Sequence, residues 1–411
     1  MTARQALIIG GGIGGPVAAM ALQRAGIDAT IYEARDHAAD YTGWFLNTAS
    51  NGLDVLHTLG IDLASRADGH PIPTMVMWSG TGKRLGEVAN GIGLDDGTVS
   101  VCIKRGELQR VLREEALGRG IRIEYGKRLA GYEPTGDGGV AAVFEDGTTA
   151  EGGLLVGADG IHSATRQLLV PGSAEPAYTG LIGVGGYSRS TTITPTPNTQ
   201  HFVFGRHAFF GYLVRDSGEI WWFANLARPQ KPSRQELAAT SSQQWKAHLL
   251  ELFAGDLPLI GEIIGSTGSD IGVHVVEDLA TTPVWHRGPV VLIGDAAHAT
   301  SPNAGQGASL AMEDALVLAK CLRDLPDVER AFAAYERLRR QRAEKIVAYS
   351  HRIGRSKTIS NPLGVWIRDL VMPFALKRFA SPDAHAWIYT YHVDWDEYAQ
   401  EPLRPRVPDL T

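Results

Sequence analysis

The sequence predicts an α/β protein: a parallel, nucleotide-binding sheet, an antiparallel sheet inserted into it, and helices towards the C-terminal end. Three observations carry this. The chain opens on a strand, glycine turn, helix and second strand, "QALIIGGGIGGPVAAMALQRAGIDATIYEAR". Two further apolar strands, "LLVGAD" and "VVLIGD", lie far downstream and each ends in an aspartate. Between them, aromatic-rich runs alternate with short polar turns, the pattern of β-hairpins.

At 411 residues the chain exceeds one ordinary core and calls for at least two domains. Its 44% hydrophobic and 20% charged content is that of a globular protein. The net charge of −6, with basic residues spread along the chain, excludes a nucleic-acid partner. Cys102 and Cys321 stand far apart, in neither a metal-ligand nor a redox spacing, so a reducing, cytoplasmic setting is expected. The first residues, "MTARQALIIG", run into a strand without an apolar leader. Near the other end "PLGVWIRDLVMPFALKRF" carries Arg368, Asp369, Lys377 and Arg378, which rules out a membrane span. It is expected to pack on the protein's own body rather than lie on a membrane surface.

The opening unit follows the logic of dinucleotide binding. Ala6 to Ile9 is a strand buried on both faces. Gly10, Gly12 and Gly15 fit G-x-G-x-x-G, with Ile13 and Gly14 completing the loop. Gly10 permits the tight turn and Gly12 lets the backbone approach a pyrophosphate. Gly15 lets the helix, expected over Gly14 to Ala25, pack closely on the strand. The second strand, Asp28 to Tyr32, delivers Glu33, 18 residues after Gly15, where a carboxylate accepts bonds from ribose hydroxyls; Arg35 follows it. FAD and NAD share this fold, so the unit alone does not choose between them.

Two later motifs do. "LLVGADGIHSATR" matches D-G-x-x-S-x-x-R at Asp159, Gly160, Ser163 and Arg166. "GDAAHATSPNAGQG" runs from Gly294 to Gly307, with Glu313 and Asp314 beyond it. Its loop, Ala296 to Gln306, takes eleven residues where strand-to-helix turns take about two to six, so either it is a poorly ordered surface excursion or something large rests against it. With the N-terminal fingerprint, these segments resemble the G-x-G-x-x-G, D-G and G-D motifs of the FAD-dependent aromatic hydroxylases, the para-hydroxybenzoate hydroxylase-like flavin monooxygenases. The resemblance implies a Rossmann-type FAD-binding domain over residues 1–172 and 286–350, a substrate-binding sheet over 173–285 and a helical segment over 351–411. It implies that Asp159 and Asp295 serve the cofactor and that Pro302 lies against the flavin ring. Gly305 and Gly307 would open a helix whose N–H groups face the ring's pyrimidine side, favouring reduced, anionic flavin. His298 is read as part of the motif's structural run.

Further matches extend the site. "TGWFLNTASNGLDVLHTLG" resembles the segment passing beside the flavin, with Gly43 allowing close approach and Trp44 and Phe45 shielding the ring. Some relatives carry a basic residue just ahead of this glycine, where this chain has Asp40, Tyr41 and Thr42. In "CIKRGELQRVL" Arg105 precedes a helix and Gln109 lies one turn on; the resemblance places both at the FAD phosphates or ribitol. Leu129 matches a position where backbone touches adenine.

In the middle segment, strands are expected over His201 to Phe204, Ala208 to Val214 and Glu219 to Asn225. Eight aromatic residues fall between Phe202 and Phe223. That density fits a flat, apolar ligand. Phe210, Tyr212, Trp222 and Pro302 are the substrate-pocket candidates, although period-2 alternation does not say which sheet face meets the flavin. Tyr212 or a histidine is a candidate base for ionising a phenol.

No second β-α-β unit with its own glycine fingerprint is present, so NADPH or NADH would bind transiently in a groove. The resemblance supplies the chemistry: reduced flavin and O2 give a C4a-hydroperoxide that hydroxylates or epoxidises a small aromatic or polycyclic substrate. No metal is called for. Two other outcomes stay open: a related oxidase, reductase or Baeyer–Villiger-type flavoenzyme, and a non-catalytic protein holding FAD or an intermediate. Halogenation is excluded by the absence of W-x-W-x-I-P.

Overall fold

A computed structural model describes residues 5–38, 44–94, 96–357, 361–379 and 382–399. The first sheet has six strands, ordered His286–Arg287, Val290–Leu292, Leu154–Gly157, Ala6–Ile9, Ala29–Tyr32 and Arg122–Glu124. All pair in parallel except the two-residue edge strand His286–Arg287. Its central strands are fully buried runs of Ala, Leu, Ile and Val, because helices cover both faces of such a sheet. The helix Gly14–Arg24 ends at Gly26, whose φ of 76° only glycine adopts without strain. It packs beside the 18-residue helix Gly307–Asp324, and the 29-residue helix Val328–Ser356 follows.

The second sheet has seven strands, ordered Gly272–Asp278, Ala177–Arg189, Glu219–Ala227, Ala208–Val214, Thr199–Phe204, Thr74–Ser79 and Arg84–Ala89. The three hairpin strands expected from the aromatic runs all form. This sheet also takes in two strands from residues 74–89, outside the range 173–285 expected for it. Thr199–Phe204 pairs in parallel with Thr74–Ser79, the one parallel ladder of this sheet. Local pattern does not reveal such a pairing, since the partners are more than a hundred residues apart. Two helices, Arg234–Ala239 and Ser242–Leu252, follow the hairpin strands. Ser241 caps the second, in a capping box with Gln244.

Candidate active site

The glycine loop is built by contact. Gly10 has φ +108°, and a Cβ there would lie 2.5 Å from the Ala158 carbonyl oxygen. A Cβ on Gly15 would lie 1.9 Å from the Gly10 carbonyl oxygen, so helix and strand meet backbone to backbone. Gly14 abuts Ala311, and Ile13 packs against the core. Gly12 differs: a Cβ there would meet only the Gln109 amide nitrogen, at 3.9 Å. Its open side is what a pyrophosphate needs.

Glu33 accepts the Gly11 N–H at 2.7 Å and the Arg35 N–H at 2.9 Å, bracing the loop. Each carboxylate oxygen retains a lone pair for a ribose. Gly126 and Lys127 donate their N–H groups to the Arg35 and Glu33 carbonyls, closing this end of the groove. Leu129, two residues on, starts a strand with its side chain in the core. The helix Arg105–Gly118 spans the groove's length. Gln109 is buried beside Gly12, and its side-chain oxygen has no hydrogen-bond partner. Arg105 lies at the other end, close enough to Asp295 and His274 for its charge to act on both, although burial is the larger influence on each.

Asp295 lies in the turn Gly294–Ala296, just past the strand Val290–Leu292, and its carboxylate takes no hydrogen bond from any described residue. Burial pushes its pKa up, and Arg105 and His298 offset this in part. Such a carboxylate is ready for a hydroxyl donor. Asp159 is different. It accepts Ser163 Oγ at 2.5 Å, the Thr165 N–H at 2.9 Å and Thr165 Oγ1 at 3.0 Å. Its carboxylate therefore fastens the start of the next helix. Arg166 then donates to the Ala296 carbonyl at 3.1 Å, tying the D-G motif to the G-D motif.

The long loop before Gly307 makes two tight turns, Gly294–Ala296 and Pro302–Ala304, and exits through Gly305 at φ +62°. Pro302 is exposed at the tip, and Ser350 holds the turn through the Ala304 N–H and Ser301. Beneath lies a buried charge cluster. Asp314 accepts the Gly294 N–H, His298 Nε2 at 2.6 Å and Arg339 Nε at 2.7 Å. Glu313 pairs with Arg339 and Arg342 and accepts Asn51 Nδ2. Burial alone would raise the Asp314 pKa, but His298 and Arg339 hold it well below the carboxylate range. His298 thus anchors the loop. Asn51, Ser309 and Ser350, which complete this clamp with the motif's Gln306, carry no motif and were missed.

The inserted sheet turns an aromatic face to the loop. Trp44 sits over Gly185 and Gly272 and meets His274 edge-on, ring centroids 4.6 Å apart. Phe45 contacts Trp221 and Phe223, at 5.6 Å and 6.1 Å. Phe223 lies over Gly211 and beside Phe209, which touches Phe202. Asn47 joins the walls, donating to Gln200 at 3.0 Å and lying 3.5 Å from a Cβ built on Gly305.

Three expected pocket residues face the other way. Phe210 stacks on Trp222 at 5.5 Å, Trp222 Nε1 donates to Thr267, and Tyr212 stacks on His201. All three are buried against Trp245, Leu249, Phe253 and Ile263 of the covering helices. Both faces of this strand are buried, so hydrophobicity could not distinguish them. The distinguishing signal was glycine: Gly183, Gly185 and Gly211 all clear space for rings on the flavin side. Tyr212, its pKa pushed up to about 12 by burial, is not the base. Gly43 lies outside the described residues.

A cation also reaches this wall. Lys357 follows the helix Val328–Ser356, whose Gly354 abuts Asn303 of the proline turn. Its ammonium lies 4.3 Å from the Phe209 ring centroid, and no described residue pairs with it otherwise. Burial lowers its pKa to about 7.

A nucleotide groove with an open Gly12, a Gln109 oxygen left without a partner among the described residues and a bond-free Asp295, running towards an aromatic wall, defines a dinucleotide-binding protein. Residues 3–350 match the family described as FAD binding domain. Aurachin C monooxygenase/isomerase of Stigmatella aurantiaca is 32% identical over 89% of this chain and 93% of that one. The FAD-dependent urate hydroxylase of Mycolicibacterium vanbaalenii is 32% identical over 83% and 85%. Klebsiella pneumoniae HpxO, solved with FAD and uric acid, superposes with a TM-score of 0.83 at 25% identity, over 94% of this chain and 98% of that one. The chain belongs to this FAD-binding family of aromatic hydroxylases, and it is an FAD-dependent monooxygenase.

Proposed function

We propose that the enzyme oxygenates a flat, largely apolar aromatic or polycyclic compound bearing one acidic oxygen substituent, with O2 and NADPH or NADH as co-substrates. The observation that carries this reading is the wall of Phe45, Phe202, Phe209 and Phe223 with the Lys357 ammonium over it, which no described residue pairs with otherwise. A wall of this kind accepts ring faces, and one cation fixes which edge turns inward. A purine would need several more polar partners, because each buried group left unpaired costs about 1–3 kcal/mol. Relatives named for 6-hydroxynicotinate and 3-amino-4-hydroxybenzoate, ring compounds with acidic oxygens, support the class.

FAD, when bound and reduced, supplies the activation of O2. The protein's own residues position and exclude. Gly12, Gln109, Glu33 and Arg35 hold the adenosine and pyrophosphate end, and Asp295 takes a ribitol hydroxyl. The N–H groups at Gly305 to Gly307 favour negative charge on the ring. The aromatic wall keeps water from the reacting atoms. Lys357 holds the substrate's oxygen and needs to transfer no proton. Cys102 and Cys321 are buried and free, which supports a reducing cytoplasmic setting.

The test is NADPH and NADH oxidation in air by the yellow, FAD-loaded protein, with and without phenols, aromatic acids and polycyclic acids. Consumption that rises with one class and yields a product labelled from 18O2 supports the reading. Consumption yielding only hydrogen peroxide with every compound points to an oxidase. No consumption at all favours a holding protein.

A further inference from the structure

The helix Pro362–Phe379 wears its apolar side outward. Its inward side carries Arg368, which donates to the Phe204 and Gly205 carbonyls and pairs with Asp369 at 2.9 Å. Met372 packs beside Leu85, Phe204 and Phe209, and Leu376 lies against Gly86. The outward side carries Leu363, Trp366, Ile367, Leu370, Val371 and Phe374, each between 46% and 71% exposed. Their spacing of three and four residues is one helix face. They are six of the ten exposed large apolar residues among those described. The expected packing on the body therefore holds for only half of the helix. A contiguous apolar stripe of this kind marks an interaction surface.

Charge identifies what covers it. Residues 351–379 carry six Lys and Arg against the single Asp369, and setting aside the inward Arg368–Asp369 pair and Lys357 of the chamber leaves Arg352, Arg355, Lys377 and Arg378 with no acidic residue among them, in a chain whose net charge is −6. A second copy would bring this basic segment against itself, because a two-fold contact pairs the same patch on both subunits. An anionic lipid surface attracts it instead. Trp366 and Phe374 within an apolar face, beside Lys and Arg, are the side chains that settle at the headgroup boundary. No described helix is long and apolar enough to cross a membrane. We propose that Pro362–Phe379 docks the enzyme in the plane of an anionic lipid surface, its outward stripe in the headgroup region and its inward side forming part of the aromatic chamber.

The test is flotation of the full-length, FAD-loaded protein with vesicles of phosphatidylcholine alone or containing phosphatidylglycerol. The wild type should float with the anionic vesicles and do so less as salt rises from about 0.1 to about 0.5 M. The double variant Trp366→Ser, Phe374→Ser should lose at least about tenfold in partitioning, from the apolar area removed. Unchanged flavin absorbance would show that it remains folded, and flotation reads independently of turnover, so failure of the oxygenase reading would be seen separately. Light scattering in parallel gives the oligomeric state. Absence of flotation, or flotation unaffected by the double variant, overturns the proposal. A dimer that the double variant splits, with no flotation, assigns the stripe to a second copy instead.

Discussion

Lys357→Met tests the substrate reading most directly. With its amine against the Phe209 ring and no described carboxylate beside it, Lys357 titrates at about 7 in the free enzyme because burial disfavours the ammonium. A ring carboxylate bound there would restore the pKa towards the ordinary value of about 10.4. Above pH 7 binding must then take up a proton. The KM for an aromatic acid should be flat below that pH and rise about tenfold per pH unit between about 7 and 9. In Lys357→Met the slope should vanish. KM at pH 6.5 should rise roughly 10- to 100-fold, the worth of a charge-assisted hydrogen bond of about 1.5–3 kcal/mol. The kcat should change far less, because the ammonium holds ground and transition states alike. The assay is steady-state NADPH oxidation across pH, with FAD content measured for both proteins. A flat wild-type KM from pH 6 to 9, or a variant keeping the slope, refutes the reasoning. Stability gives a second readout. The unfolded chain binds the extra proton between about 7 and 10.4, so the penalty of burying this amine is complete below pH 7 and fades as pH rises through that window. Lys357→Met should therefore gain most in urea midpoint at acidic pH.

Gly15→Ala places a Cβ 1.9 Å from the Gly10 carbonyl oxygen and should abolish FAD retention, read as loss of yellow colour. Gln109→Leu removes the orphaned amide beside Gly12 and should weaken FAD binding about 5- to 10-fold, for a bond worth about 1–1.5 kcal/mol, leaving substrate KM unchanged. Arg339→Met removes the cation that Glu313 and Asp314 share, leaving these fully buried carboxylates only Arg342 and His298 respectively as charged partners, and should cost about 3–5 kcal/mol in urea unfolding. Gly211→Ala puts a Cβ 2.3 Å from the Phe223 ring; turning that ring should raise substrate KM while FAD affinity holds.

The nucleotide end was legible because its demands fall on the backbone. Gly10 and Gly15 admit no side chain, so the residue type itself announces the geometry. The D-G and G-D segments were legible as motifs, but not in their division of labour. The carboxylate of Asp159 spends its bonds on Ser163 and Thr165, whereas that of Asp295 is left free. The aromatic chamber was legible only as a density of rings. Phe209 and Phe210 are equally buried, and only the path of the whole chain decides which one meets the loop. Strands Thr74–Ser79 and Arg84–Ala89, and Lys357, reach the chamber by long-range packing that no local window contains.

The order of strands in the first sheet also sets a schedule for synthesis. Ala6–Ile9 leaves the ribosome early, but one neighbour, Leu154–Gly157, comes much later, and the next, Val290–Leu292, arrives only after the inserted sheet is complete. Until then Leu154–Gly157 waits unpaired on one edge, in a topology that closes slowly. A nucleotide that binds only the finished groove pulls this last step forward by mass action. Riboflavin supply should therefore govern how much of this polypeptide escapes aggregation, before it governs how fast any molecule turns over.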